Sequence, residues 1–241
     1  MYTLAFDSSA KVASVAVMDD DRLVASYSID NGLTQSELLL PMAEDMLKSL
    51  GIGFSDIGLL ATSVGPGSFT GVRIGVSLVK GLAFGKGIPC VGVSTLDALA
   101  ENLSGLSGIL VPCMDARRQQ VYTAIYSSDG ESITRLTEDM AIPISELAER
   151  LLSLGAEDIY LSGDGYDVAR SRLLQTDLKI KSTPSELRPE NAASVARIAY
   201  KKYLSGEYIS DGELSPVYLR LPQAERERLE KLNQNSEEKN I

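Results

Sequence analysis

The sequence predicts an α/β fold made of two similar halves, each of order βββαβαβ around a mixed sheet. Short β-rich apolar runs alternate with segments of helical period through the first hundred residues, and from Ile109 the same order begins again. In both halves an aspartate ends the first strand (Asp7, Asp115) and a glycine-rich loop ends the fourth (Gly65-Pro66-Gly67, Gly163-Asp164-Gly165). The chain has 241 residues, 44% of them hydrophobic, enough for one large domain or two small ones with a substantial core. The expected organisation is a first half over 1–104, a second over 105–222 whose terminal helix can pack back on the first, and a tail over 223–241.

The elements follow in order. Strands at Tyr2–Ser8, Val12–Met18 and Leu23–Ile29 form an antiparallel meander, with Asp19-Asp20-Asp21 as the turn between the last two. A helix opens at Thr34, where Thr34 and Glu37 are spaced as a capping box. Leu39, Met42, Ala43, Met46 and Leu50 recur at helical spacing until Gly51 stops it, and Pro41 is expected to bend it. A strand at Ile57–Val64, the glycine loop, a second helix and a strand at Ile88–Val93 complete the half. The second half reads as strands at Ile109–Met114, Val121–Tyr126 and Ile133–Met140 and a helix at Ser145–Leu154. A strand at Asp158–Leu161, a helix at Tyr166–Leu174 and a short strand at Leu178–Lys181 follow. Asn191–Leu204 is the last helix, and Pro216–Arg220 suits an extended segment docked on the body. Beyond Ala224 charges and amides prevail and Leu229 and Leu232 are too sparse for a core, which predicts a frayed helix and a disordered tail.

The run Gly65-Pro66-Gly67-Ser68-Phe69-Thr70-Gly71-Val72-Arg73-Ile74-Gly75 is the most informative stretch. Glycines around a proline suit a sharp turn whose amides face a ligand, and a helix start adds positive partial charge. The loop matches neither the P-loop nor the G-x-G-x-x-G pattern. Ser68 is placed to cap the helix. That helix carries two apolar stripes, Gly71, Gly75, Leu78, Leu82 and Gly85 on one line and Val72, Val76, Val79 and Ala83 on another. One stripe can cover a sheet, while the flat glycine-lined one admits a second helix, inside the chain or from a partner. If both are core, a large charged residue at Gly75 or Val76 unfolds the protein. If one is an interface, the chain folds and loses its partner.

Composition narrows the chemistry. A net charge of −10 argues against gripping nucleic acid alone, since Arg117-Arg118 and Lys201-Lys202 are only pairs, although a patch at Arg117, Arg118 or around Arg170 and Arg172 could touch RNA. The sequence has no histidine, which excludes Ser-His-Asp and Cys-His catalysis and histidine-ligated metals. Cys90 and Cys113 sit in strand-like apolar runs and read as buried free thiols. No apolar run is long enough to span a membrane and no secretory signal is evident, so the expected location is cytoplasmic.

Leu4-Ala5-Phe6-Asp7-Ser8-Ser9, the run Gly65 to Gly75, Lys80-Gly81-Leu82-Ala83 and Val91-Gly92-Val93-Ser94-Thr95-Leu96 occur in this order, followed by Asp115-Ala116-Arg117-Arg118 and Val217-Tyr218-Leu219-Arg220. Together they resemble the TsaB (YeaZ) family, a branch of the actin/Hsp70/sugar-kinase superfamily. The resemblance implies a duplicated ribonuclease-H-like (actin-like ATPase) fold. It also implies a role in making threonylcarbamoyladenosine beside the anticodon of tRNA, as a non-catalytic subunit that binds the transferase TsaD together with TsaE. TsaD carries metal-binding histidines, which this chain lacks. The interface implied comprises Leu39, Met42, Met46, Gly71, Val72, Gly75, Val76 and Val79, shared with TsaD or with a second copy when the chain is alone. Asp7, Ser8, Gly65, Gly67, Asp115, Gly163 and Gly165 would line a nucleotide cleft. No metal and no tightly bound cofactor is expected, ATP or ADP belongs at most to the assembled complex, and tRNA is reached indirectly. Family members commonly read His-Ser-Glu where this chain has Gln35-Ser36-Glu37.

Two other readings compete. Asp7 and Asp115 could hold magnesium for an ATP-hydrolysing or sugar-kinase-like enzyme, against the simpler role of satisfying turn amides. A peptidase would need Ser68 and Lys80 as a dyad, outside any G-x-S-x-G context.

Overall fold

The computed structural model describes residues 1–220. The tail expected over 223–241, and Leu221 and Pro222 before it, lie outside the described residues.

The first sheet has the order β3-β2-β1-β4-β5, from β1 (Tyr2–Asp7), β2 (Ala13–Asp19), β3 (Arg22–Ile29), β4 (Ile57–Gly65) and β5 (Cys90–Ser94). The meander is antiparallel and β4 and β5 join in parallel, making the sheet mixed. Alternation along β1 assigns each residue to a face. Leu4 and Phe6 enter the core beneath α1 (Gln35–Leu50) and α2 (Phe69–Ala83), while Ala5 faces α6 (Ala192–Leu204) on the other side. Small side chains at that second contact, Ala5 and Ala61 against Ala196 and Ala199, let α6 lie close to the sheet. Pro41 lies inside α1 on its exposed side. The Thr34 hydroxyl donates to Glu37 Oε2 at 2.8 Å and makes no bond to the helix amides, so the capping box predicted there does not form.

The second half repeats this order with broken strands. β6 (Ser107–Asp115) pairs antiparallel with β7 (Gln120–Thr123) and β8 (Tyr126–Asp129) in one continuing register, Cys113 opposite Thr123 and Leu110 opposite Tyr126. The strand expected over Val121–Tyr126 is therefore interrupted at Ala124-Ile125. There the Ile125 amide bonds Thr137 Oγ1 and the Ile125 carbonyl accepts from Leu136, pulling both residues out of the ladder. The next strand splits likewise into β9 (Ile133–Arg135) and β10 (Met140–Pro143). On the other side β11 (Ile159–Ser162) joins β6 in parallel, and the expected strand at Leu178–Lys181 contributes one bridge, Ile180 to Ile159. Helices α4 (Ile144–Ser153) and α5 (Tyr166–Leu173) bury Leu147, Leu151, Ala169 and Leu173 against Val111, Cys113 and Leu161.

One helix was not anticipated. α3 (Thr95–Glu101) starts directly from β5, with Ser94 Oγ accepting from the Leu96 amide at 3.2 Å. Its Leu96 and Leu99 pack on Leu110, Met114 and Tyr126 of the second sheet, joining the two halves through a shared core.

Candidate functional site

A cleft of about 260 Å³ at the strand ends is lined by Gly67 and Ser68 from the first half's glycine loop and by Asp115 and Asp164 from the second half, among others, whereas Asp7 and Ser8 are buried beneath it and do not line it. The loops, however, are filled by the chain itself. Gly67 lies so close to Ser9 that a Cβ there would meet the Ser9 carbonyl oxygen at 2.4 Å, and the Ser68 amide donates to that oxygen at 2.7 Å. The second half repeats the arrangement. The Cys113 carbonyl accepts from the Gly165 amide at 2.9 Å and sits 2.3 Å from where a Gly163 Cβ would be, while the Gly163 amide donates to Arg188 O. In both loops a backbone carbonyl oxygen packs against the glycines, which permit close packing of strand ends. Of the glycines assigned above to a nucleotide cleft, Gly67 lines the cavity and Gly65, Gly163 and Gly165 do not.

The carboxylates in and beneath the cleft also have structural work. Asp7 is fully buried, and its Oδ1 accepts from the Ser9 amide and hydroxyl at 2.9 and 2.7 Å. Burial raises its pKa against those bonds. Its Oδ2 has no hydrogen-bond partner among the described residues. Ser8 donates to the Gly71 carbonyl, tying the end of β1 to α2. Asp115 accepts from the Arg117 amide, the turn-satisfying role. No local pattern marks Glu190, 2% exposed, whose Oε1 accepts from the Asp164 amide at 3.2 Å. Burial, then the nearby charges of Asp164 and Asp7, push its carboxyl up to about 8, so it is protonated at neutral pH. Among the described residues no three Asp, Glu, Cys or His side chains converge tightly enough to hold a metal ion.

The C-terminal segment crosses the mouth of this cleft. The Val217 amide donates to Val64 O at 2.8 Å, and Lys80 Nζ donates to the carbonyls of Gly212 and Leu214. Tyr218 stacks on Phe69 with ring centroids 4.9 Å apart and accepts from Arg73 Nε at 2.7 Å. Arg220 reaches the other half, donating to Gln120 and to Ala141 O. Gly65, at φ 112°, faces Val217, whose carbonyl oxygen would be 2.5 Å from a Cβ. The extended segment expected at Pro216–Arg220 thus straps the halves together.

The Ser68–Lys80 pairing fails on geometry. Ser68 caps α2, its Oγ accepting from the Gly71 amide at 3.2 Å, and Lys80 lies twelve residues on, roughly 18 Å along the axis.

The valine stripe of α2 and the first two glycines of the other stripe share one inward face, while Leu78 and Leu82 are half-buried and Gly85 is exposed. Gly71, Val72, Gly75, Val76, Val79 and Ala83 are all buried, as are Leu39, Met42 and Met46 of α1. The chain itself, not a partner helix, explains the glycines: a Cβ on Gly71 would meet the backbone Ser8 O, just past β1, at 2.0 Å, and one on Gly75 would meet the side-chain oxygens Ser8 Oγ and Thr62 Oγ1, both at 2.7 Å. All eight residues assigned to an interface belong to the interior. The exposed side of the same helix pair is lined instead by Leu40, Phe69, Arg73, Ile74 and Leu78 around a shallow apolar hollow of about 470 Å³. Leu40 is 39% exposed and Leu33, just before α1, 55%. A signal existed for Leu40: three consecutive leucines, Leu38-Leu39-Leu40, cannot all face inward on a helix. Gln35, at the usual histidine position, donates to Ala10 O at 2.7 Å and anchors the start of α1 to the β1–β2 loop.

Residues 34–227 match the sequence model of the TsaD family, described as tRNA N6-adenosine threonylcarbamoyltransferase. The chain is 32% identical to the tRNA threonylcarbamoyladenosine biosynthesis protein TsaB of Escherichia coli, over 91% of this chain and 95% of that protein. It is 29% identical to the Bacillus subtilis protein of the same description, over 95% and 99%. A crystal structure from Pseudomonas aeruginosa, of an uncharacterized protein with similarity to the peptidase YeaZ, superimposes with a TM-score of 0.77 at 28% identity, covering 91% of this chain and 99% of that one. With its two mixed sheets and its likeness to these proteins along nearly their whole length, the chain belongs to the TsaB (YeaZ) family of tRNA threonylcarbamoyladenosine biosynthesis proteins.

Proposed function

We propose that this chain is a non-catalytic subunit that supports TsaD, together with TsaE, in transferring the threonylcarbamoyl group to the adenosine beside the tRNA anticodon. One observation carries the partner reading: the outer side of α1 and α2 presents an apolar hollow around Leu40, Ile74 and Leu78, with Leu40 exposed and Ile74 and Leu78 only partly buried by the core. Covering such a patch with a matching helical face removes apolar surface from water, the main driving force of association. In the isolated chain a second copy takes the same place. The absence of histidine supports a non-catalytic role, and so do the glycine-loop amides already spent on internal carbonyls. ATP or ADP belongs to the assembled complex rather than to this chain. The glycine loop matches neither the P-loop nor the G-x-G-x-x-G pattern, which weighs against the alternative of an ATP-hydrolysing enzyme, and the complex acts in the cytoplasm.

The test is transfer to tRNA by TsaD and TsaE, with the chain present, absent, or carrying Leu78→Asp. Activity that needs the wild-type chain and is lost with a folded Leu78→Asp variant supports the reading; activity indifferent to both contradicts it.

A further inference from the structure

The tip of the β6–β7 hairpin is strained without any glycine to relieve it. Arg117, Arg118 and Gln119 all have left-handed backbones, with φ of 65°, 52° and 59°. The Gln120 amide closes the turn on Arg117 O at 3.0 Å, so Arg118 and Gln119 occupy the two central positions of a type I′-like turn, where Asn-Gly is favoured. Left-handed backbone costs an ordinary residue about 1–2 kcal/mol, and such strain persists where it serves a site. Here it projects side chains away from the body. Arg117 is 82% exposed and meets only Asp115, at 3.1 Å, while Arg118, also exposed, makes no ion pair or hydrogen bond among the described residues. Arg220 lies alongside, bonded to the neutral acceptors Gln120 and Ala141 O, so its charge is not cancelled. Tyr122 and Tyr218 line the adjoining cavity with Arg117 and Arg220. In a chain of net charge −10, this gathers the sequence's one Arg-Arg pair, a third arginine and two aromatic rings.

We propose that this hairpin tip is a direct RNA contact: Arg117, Arg118 and Arg220 engage phosphates of the bound tRNA, and the tyrosine-lined cavity accepts an unstacked base. Arginines and aromatic rings side by side suit phosphates and splayed bases, and each phosphate neutralised adds about 0.7–0.9 to the salt slope of binding. The inference rests on the tRNA-modification reading and assigns this chain a share in substrate contact that the scaffold role does not require.

The test titrates the full-length chain into a labelled, unmodified tRNA transcript with an adenosine beside its anticodon, from 50 to 200 mM salt. Wild-type binding is expected to weaken as salt rises. Arg117→Ala/Arg118→Ala is expected to flatten the log–log salt slope by about 1.5, and Lys179→Ala/Lys181→Ala, a charge-matched double change at two exposed lysines away from the hairpin, to leave it unaltered. Arg118→Gly separates folding from contact, because glycine relaxes the left-handed position: it is expected to raise the thermal midpoint while weakening RNA binding several-fold. Equal affinity and slope for wild type and double variant overturn the proposal, as does a wild-type chain with no salt-dependent binding at 50 mM. If the chain supports modification yet the double variant binds like wild type, this inference alone falls; if the wild-type chain supports no modification, the underlying reading falls with it.

Discussion

Gly71→Ala adds one methyl group and should be among the most damaging single changes in the protein. A Cβ at this position would lie 2.0 Å from Ser8 O, and an ordinary van der Waals contact needs at least 3.4 Å. Either α2 or the end of β1 must move by more than 1 Å, and that backbone cannot swing aside like a flexible side chain. Overpacking of this kind costs up to about 3 kcal/mol or more. Displacement also strains the Ser8 Oγ–Gly71 O hydrogen bond of 2.9 Å, worth about 1 kcal/mol. Alanine's better helix propensity returns about 1 kcal/mol. The net loss of about 3 kcal/mol corresponds to a fall of roughly 6–12 °C in the thermal midpoint for a chain of this size. Thermal unfolding followed by circular dichroism reads it directly. Leu78→Asp, on the outer side of the same helix, should lower the midpoint far less and instead abolish association with TsaD in a pull-down. A Gly71→Ala protein that melts within 2 °C of wild type would refute the assignment of the glycine stripe to the interior.

Three further outcomes follow from buried groups and the cleft. The Glu190 carboxyl holds its proton to about pH 8 in the folded protein, whereas the unfolded chain loses it near its ordinary value of 4.5. This group therefore stabilises less as pH rises from about 4.5 to 8, by up to about 1.4 kcal/mol per pH unit. Glu190→Gln should flatten that slope, and parallel urea-denaturation curves of wild type and variant between pH 5.5 and 8 would contradict it. Millimolar Mg-ATP should move the isolated chain's thermal midpoint by less than about 1 °C, since a ligand stabilises only what it binds; a clear rise would restore the nucleotide cleft. Burial raises the Cys90 and Cys113 thiols to about 11 and about 12, so neither should react with a disulfide reagent at pH 8 until the protein unfolds.

Much of the fold was legible because it rests on local patterns: alternation in β1 and β2, helical spacing of Leu39, Met42 and Met46, and the Ser68 cap. The break at Ala124-Ile125 was not, because it depends on Thr137, a residue far along the chain that captures the Ile125 amide. The site misled for one physical reason. A glycine says that something approaches its backbone closely, but not what, and at Gly67, Gly71, Gly75 and Gly163 the visitor is the chain itself. Helical spacing likewise identified two stripes on α2 without revealing that Gly71 and Gly75 turn inward with the valines while Leu78 borders the outer hollow. Glu190 was invisible because its burial arises only when the start of α6 meets the Asp164 loop.

The proposed role is that of a supporting subunit whose outer α1/α2 face engages the transferase. Threonylcarbamoyl transfer to tRNA by matched TsaD and TsaE, supplied with threonylcarbamoyl-adenylate, is the measurement that decides it. Product is expected only when this chain is added, and none from this chain alone; full activity without it, or transfer by the chain by itself, would overturn that role.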